Sequence, residues 1–184
     1  KGKRDRLIIE KQFDYISEIY AVEEFRFNNG ALVWTKEDIK QHLLDITSTE
    51  DDDHLLGYSE GNNSETLDAG SGNDVIEGGS GDDTYIFKQG YGQDVIIEDY
   101  YALNSYFDTV RFESGLTLES MDAFRQGNDL VFVVKESGDR LTIKNQFDYA
   151  FEVISVEDFQ FDNGATVLTK DELKLYILNQ SSTP

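Results

Sequence analysis

The chain has 184 residues, with 37 acidic against 16 basic side chains, a formal net charge of −21 and no cysteine. That balance argues against nucleic acid and anionic membrane, which attract basic patches, and the missing cysteines exclude disulfides and thiolate metal sites. No apolar run approaches the roughly 20 residues of a membrane span, and no N-terminal signal peptide is visible.

The chain opens with one copy of a repeated segment. Arg6 to Leu44 aligns without a gap to Arg140 to Leu178, with about half the positions identical. In the first copy Phe25 and Phe27 recur with the strand period and read as core. Asn29-Gly30 joins two apolar runs as a hairpin turn. Thr35-Lys36-Glu37-Asp38 reads as an N-cap with an acidic third residue, and Ile39, Leu43 and Leu44 follow at helical spacing. The repeat fills less than one and a half periods of a tandem array, so the expectation is a piece of a larger protein. Lys1 stands just before a strand, where a natural start would carry Met. Residues 1–47 then read as the tail of a preceding module.

Residues 48–112 carry the strongest signal. Gly70-Ser71-Gly72-Asn73-Asp74-Val75-Ile76 is followed at once by Gly78-Gly79-Ser80-Gly81-Asp82-Asp83-Thr84-Tyr85. Each stretch ends a glycine-rich turn on an aspartate, and a large side chain follows two residues later. Glycine permits the tight turns such a unit needs, at an entropic cost. The turn brings carbonyls and one carboxylate inward, which is the all-oxygen donor set hard cations take. The three residues after the turn form a short strand whose middle side chain enters the core. With the acid at position six, the clear turns end at Asp74, Asp83 and Asp94, with Ile76, Tyr85 and Ile96 inward. Asp53 with Leu55 and Glu65 with Leu67 fit the same frame upstream with glycines partly lost. Asp108 with Val110 closes a looser turn downstream of Asp99.

Residues 113–184 hold the second copy. Its expected parts are a strand over Leu141 to Ile143, a Gln146-Phe147 corner, and a long strand over Val153 to Phe161. Along that strand Val153, Ser155, Glu157, Phe159 and Phe161 alternate with Ile154, Val156, Asp158 and Gln160. An Asn163-Gly164 turn follows, then a helix from Thr169 to Leu178 with Leu173, Tyr176 and Ile177 inward. Phe159 and Phe161 read as core. The closing helices are expected to cap the open ends of the sheets. Tyr100, Tyr101, Tyr106 and Phe107 cluster where the turns degenerate and are expected to plug the end of the stack, the alternative being a sugar- or surface-binding shelf. His42 and His54 have no nucleophile motif beside them, and no phosphate loop, zinc motif or serine elbow appears. The reading is not an enzyme.

These nonapeptides resemble those of RTX (repeat-in-toxin, haemolysin-type) calcium-binding proteins. The repeated segment resembles the haemolysin-type calcium-binding-related domain that often follows them. The resemblance implies an all-β fold: a right-handed parallel β-roll continued by antiparallel strands and capped by short helices. It implies that turns two repeats apart sandwich each ion, so that Asp74 faces Asp53 and Asp94 on one edge. Asp83 then faces Glu65 and Asp108 on the other, Glu65 departing from the pattern by a methylene. Carbonyls of Gly70, Gly72, Gly79, Gly81, Gly90 and Gly92 complete the cages, with Ser71 and Ser80 giving carbonyls to the neighbouring ion. Gly61, Asn63, Gly78 and Asp99 belong to the same implied metal set. About three or four calcium ions follow. The family is typically exported unfolded by type I secretion and folds on meeting external calcium. The implied function is a calcium-binding structural module of a secreted toxin or adhesin. A calcium-dependent glycan- or surface-binding module, or an accessory module of a secreted enzyme, is the alternative.

Overall fold

A computed structural model describes residues 22, 24–59, 64–98, 106–148 and 155–180. The chain divides into two compact units, Lys1–Lys40 and Gln41–Pro184. In the first, β1 (Glu24–Phe27) and β2 (Leu32–Thr35) form an antiparallel hairpin, Glu24 opposite Thr35 and Phe27 opposite Leu32. Its turn is reversed by Asn29 and Gly30 at φ of 54° and 87°. The helix α1 (Lys36–Thr47) then carries the chain across the division. The Thr35 hydroxyl accepts the Asp38 amide at 3.1 Å, and the Asp38 carboxylate accepts the Thr35 amide at 2.8 Å. This reciprocal box satisfies two donors that a helix start leaves without partners.

The second unit is built of two facing sheets. Short strands enter them alternately: β3 (His54–Leu56), β4 (Thr66–Leu67), β5 (Val75–Glu77), β6 (Thr84–Phe87), β7 (Gln93–Ile97) and β8 (Thr109–Phe112). Each pairs in parallel with the strand two places on: β3 with β5, β5 with β7, β4 with β6 and β6 with β8. An antiparallel meander follows in β9 (Met121–Gln126), β10 (Asp129–Val134) and β11 (Arg140–Ile143), and β11 returns to pair in parallel with β7. Finally β12 (Asp158–Phe161) lies parallel to β8, and β13 (Thr166–Thr169) turns back along it. The result is a six-stranded sheet ordered β3-β5-β7-β11-β10-β9 and a five-stranded sheet ordered β13-β12-β8-β6-β4.

The register explains the core. Leu55, Ile76, Ile96 and Ile143 are level across the first sheet, and Leu67, Tyr85, Val110 and Phe159 across the second. All eight are buried. A strand alternates its side chains between faces, so one inward residue per short strand makes a continuous ladder. Behind it Phe112 stacks on Phe161 at a centroid distance of 4.9 Å, and both meet Phe132. Each buried aromatic of this size contributes roughly 1.5–3 kcal/mol by leaving water.

Helices close the unit as the periodicity expects. From α1, Leu44 enters the core, and the Gln41 amide group bonds both the carbonyl (2.8 Å) and the amide (3.1 Å) of Thr66 on the edge strand β4. That blunts an edge otherwise open to another strand. At the far end α2 (Lys170–Gln180) buries Leu173 and packs Tyr176 and Ile177 on the core. Its cap repeats the first, the Thr169 amide donating to Glu172 at 2.9 Å.

Two expectations need correction. The long strand over Val153 to Phe161 is a strand only over Asp158–Phe161. Val153 and Ile154 lie outside the described residues, and Ser155 and Val156 are both buried in place of alternating. The Gln146 side chain is the reason: its carbonyl accepts the Val156 amide at 3.1 Å and its amide donates to the Val156 carbonyl at 2.7 Å. The second correction concerns Phe25 and Phe27. Phe27 is 42% exposed and Phe25 half-buried, whereas the matching Phe161 and Phe159 are fully buried. Among the described residues β1 pairs with β2 alone, while β12 has β13 on one side and β8 on the other.

Candidate metal centre: two files of carboxyls

The parallel register lines up the acids that close the turns. On one edge Asp53, Asp74 and Asp94 are level, each one residue before a strand partner or at the matching place within it. On the other, Glu65, Asp83, Asp108 and Glu157 precede Thr66, Thr84, Thr109 and Asp158, which are mutual partners. A hydrogen-bond ladder locks each file. The Asp53 amide donates to Asp74 Oδ1 at 2.8 Å, and the Asp74 amide to Asp94 Oδ1 at 3.0 Å. On the second edge the Glu65 amide donates to Asp83 Oδ1 at 2.8 Å, the Asp83 amide to Asp108 Oδ1 at 2.9 Å, and the Asp108 amide to Glu157 Oε2 at 2.9 Å. One oxygen of Asp74, Asp94, Asp83, Asp108 and Glu157 is thereby held by the neighbouring level of its file. Asp74 Oδ2 is sealed from solvent and has no hydrogen-bond partner among the described residues.

The glycines set the space around these oxygens. Gly72 has φ of 153°, and a Cβ there would lie 2.6 Å from the Asp51 carbonyl oxygen and 2.7 Å from Asp74 Oδ1. At Gly78 a Cβ would lie 2.7 Å from Asp83 Oδ2 and collide with the Tyr85 hydroxyl. Both turns are cradles that any side chain would fill. Among the described residues no three acidic or histidine side chains ring a common centre by themselves. The donors come as one carboxyl per turn beside backbone carbonyls. A buried oxygen without a partner, an all-oxygen donor set and glycine-lined space together fit calcium, which takes six to eight oxygens at about 2.3–2.6 Å in flexible geometry.

The other expected site residues fall on the same edges. Gly70 and Ser71 sit on the first edge, where Gly70 bridges Thr49. Gly79, Ser80 and Gly81 line the second edge beside Tyr58, whose carbonyl accepts the Ser80 amide at 3.2 Å. Gly92 bridges Gly72, and its own carbonyl accepts the Arg140 amide at 2.7 Å, so it also serves the sheet. Gly90 faces open space, its amide donating to Asp139 at 2.6 Å. Gly61, Asn63 and Asp99 lie outside the described residues, as do Tyr100 and Tyr101. Tyr106 is half-buried, but Phe107 is 52% exposed, so it plugs nothing. His54 points outward and meets Glu77 at 2.7 Å, and His42 is exposed on α1.

Two acids were missed. Glu157 stands two residues before the inward Phe159, the spacing of Asp83 to Tyr85, so a signal was there. Glu98 carried none, because it follows a strand where a glycine turn is expected.

Crowded acids shut from water hold their protons. Burial, with the charges of neighbouring acids behind it, pushes Asp83 and Asp94 up to about 7 and raises Asp74. Burial likewise takes Asp108 to about 6 and Glu157 to about 7. In an unfolded chain an aspartate titrates near 3.8. Between about 4 and 7 the ion-free fold thus binds more protons than the unfolded chain, and stability falls as pH rises through that window. Calcium-stripped protein is expected to melt at a higher temperature at pH 5 than at pH 8. A melting point that climbs from pH 5 to 8 would contradict the burial of these groups.

Comparison with known proteins agrees with the geometry. Residues 61–96 match the RTX calcium-binding nonapeptide repeat in four copies, and residues 129–172 match the haemolysin-type calcium binding protein related domain. The iron-regulated protein FrpA of Neisseria meningitidis serogroup C is 32% identical over 82 residues, which are 44% of this chain and 7% of that protein. The chain thus spans a small part of its relative's length. The stacked turns over residues 61–96 are RTX calcium-binding nonapeptide repeats, and a haemolysin-type calcium-binding-related domain follows them in this chain.

Proposed function

We propose that this chain is a calcium-dependent structural module of a secreted protein. In this reading residues 48–112 form a right-handed parallel β-roll, 113–184 its closing domain, and 1–47 the tail of a preceding module. The observation that carries it is the pair of carboxyl files, in which Asp74, Asp94, Asp83 and Asp108 each accept the amide of the acid one level before, beside glycine turns too tight for a Cβ. Asp53, Asp74 and Asp94 would hold ions on one edge, and Glu65, Asp83 and Asp108 on the other, with carbonyls of the glycine turns. Calcium would supply the positive charge that these buried acids lack. The module would remain unfolded where calcium is scarce and fold outside the cell, which suits export as an unfolded chain by type I secretion. The parent is then a toxin or adhesin, and its target lies beyond this module. Exposed Phe107 favours a surface contact as a second role.

Titration calorimetry tests the reading. Wild type is expected to bind about three or four calcium ions, and Asp83→Asn to lose at least one of them. Absence of calcium heat at millimolar ion would sink it.

Strand β1 also bears on the neighbouring module. Among the described residues its sheet has no strand beyond β2, and Phe27 stands exposed where Phe161 is buried. We infer that the last strand of a preceding roll lies along β1, as β8 lies along β12. The chain's single tryptophan, Trp34, packs edge-on against Phe27 at 5.5 Å and reports on this face. Emission of Trp34 should shift to the blue when the chain is extended by the preceding repeats. Unchanged emission would count against the docking.

A further inference from the structure

The two copies of the repeated segment end in helices whose surroundings differ. Aligned residue by residue, Leu44 of α1 matches Leu178 of α2, and Gln41 matches Leu175. Leu44 is 4% exposed and belongs to the core of the stack that follows it, and Gln41 bonds the edge of that stack at Thr66. Leu178, by contrast, is 56% exposed and Leu175 59%. A helix turns once in 3.6 residues, so these two leucines, three apart, share one side of α2. The opposite side carries Leu173, Tyr176 and Ile177, which meet the core of their own unit. Helix α2 thus has two apolar sides, and among the described residues only the second is covered. A surface helix ordinarily shows one apolar stripe, and a helix apolar on all sides is one buried on all sides.

The likeness of the two copies runs on past the helix. Thr47-Ser48-Thr49 leads from α1 into the stack, where the Ser48 hydroxyl donates to the Leu44 carbonyl at 3.0 Å and Thr49 bridges Gly70. After α2 the sequence reads Ser181-Ser182-Thr183, with hydroxyls at the same three places, outside the described residues. We propose that the side of α2 bearing Leu175 and Leu178 docks the open end of a second nonapeptide stack, set on α2 as residues 48–112 are set on α1. One closing helix would then serve two stacks, ending the first and starting the next. Leucine at 175 cannot make the bonds of Gln41, so this contact is apolar where the first is partly polar. The proposal rests on the reading that the nonapeptides fold with calcium, and the experiment separates the two.

The chain has no cysteine, so one introduced thiol reports on one place. Leu44→Cys and Leu178→Cys are made in the full chain. Leu178→Cys is also made in the first module of a two-module chain, in which residue 181 runs into a second copy of residues 48–184. Alkylation by iodoacetamide is timed in saturating calcium, and far-UV circular dichroism reports whether the stacks are folded. In the full chain the thiol at 44 is expected to react slowly and that at 178 rapidly. In the two-module chain the thiol at 178 should react about tenfold more slowly or less, since a covered group reacts only through local opening. Stripping calcium should restore its rate. Equal rates at 178 in both chains, with both stacks folded, would overturn the docking and leave the calcium reading standing. Absence of a calcium-induced fold in either chain would overturn both. Protection at 178 in the full chain that grows with protein concentration would assign this side to a dimer and overturn the proposal. Should Leu44→Cys not fold, the comparison at 178 between the two chains decides by itself.

Discussion

Stripped of calcium at neutral pH, the protein is expected to lose most of its far-UV β signal and to regain it cooperatively as calcium is added. Magnesium should not substitute, because it demands near-ideal octahedral geometry at about 2.0–2.1 Å and dehydrates reluctantly. The cause is charge. Asp74, Asp83, Asp94 and Asp108 are all buried, each beside another acid of its file, within a chain of net charge −21. Extracellular calcium modules bind at about 10⁻⁴ to 10⁻³ M, and at tenfold above Kd each ion contributes roughly 1.4 kcal/mol. Three or four ions then contribute about 4–6 kcal/mol, against a total domain stability of about 5–15 kcal/mol. That share is large enough to decide whether the stack exists. A spectrum unchanged across the titration would show that the core ladder holds without the ion, and the switch would be lost.

Replacing Gly92 by alanine is expected to destabilise the calcium-loaded protein by about 2–5 kcal/mol, adding a left-handed backbone penalty to overpacking. Gly92 has φ of 91°, and a Cβ there would strike the carbonyl oxygen of Gly72 in the neighbouring turn. Gly90 makes the control. Its φ is 90°, yet a Cβ there meets nothing within 4 Å. Gly90→Ala should therefore cost only the backbone part, about 1–2 kcal/mol. Urea unfolding of the two variants in saturating calcium measures the difference. Equal losses would mean that turn-to-turn contact at Gly72 contributes nothing and that backbone strain accounts for both.

Much of the arrangement can be read from residue spacing. An acid two places before a large inward residue marks every level of both files, from Asp53 and Leu55 to Glu157 and Phe159. The spacing works because a parallel stack repeats one backbone geometry, so equal positions in sequence become neighbours in space. Capping boxes at Thr35 and Thr169 are equally local, since the bonded groups are three residues apart.

What could not be read locally depends on partners far along the chain. Phe27 and Phe161 sit in matching sequences, but one is exposed and the other buried, because only β12 has β8 beside it. The strand expected from Val153 breaks off because Gln146, ten residues earlier, takes the backbone bonds of Val156. Glu98 looks like any surface acid until the register sets it level with Gly57 and Gly78 and closes its carboxyl in among Asp108 and Glu157. Sequence by itself determined the repeat, its inward residues and the acids that close its turns, because those follow from period and local backbone. Tertiary structure alone decided which acids lose water and which aromatic faces are covered, because burial is set by what packs across the sheets.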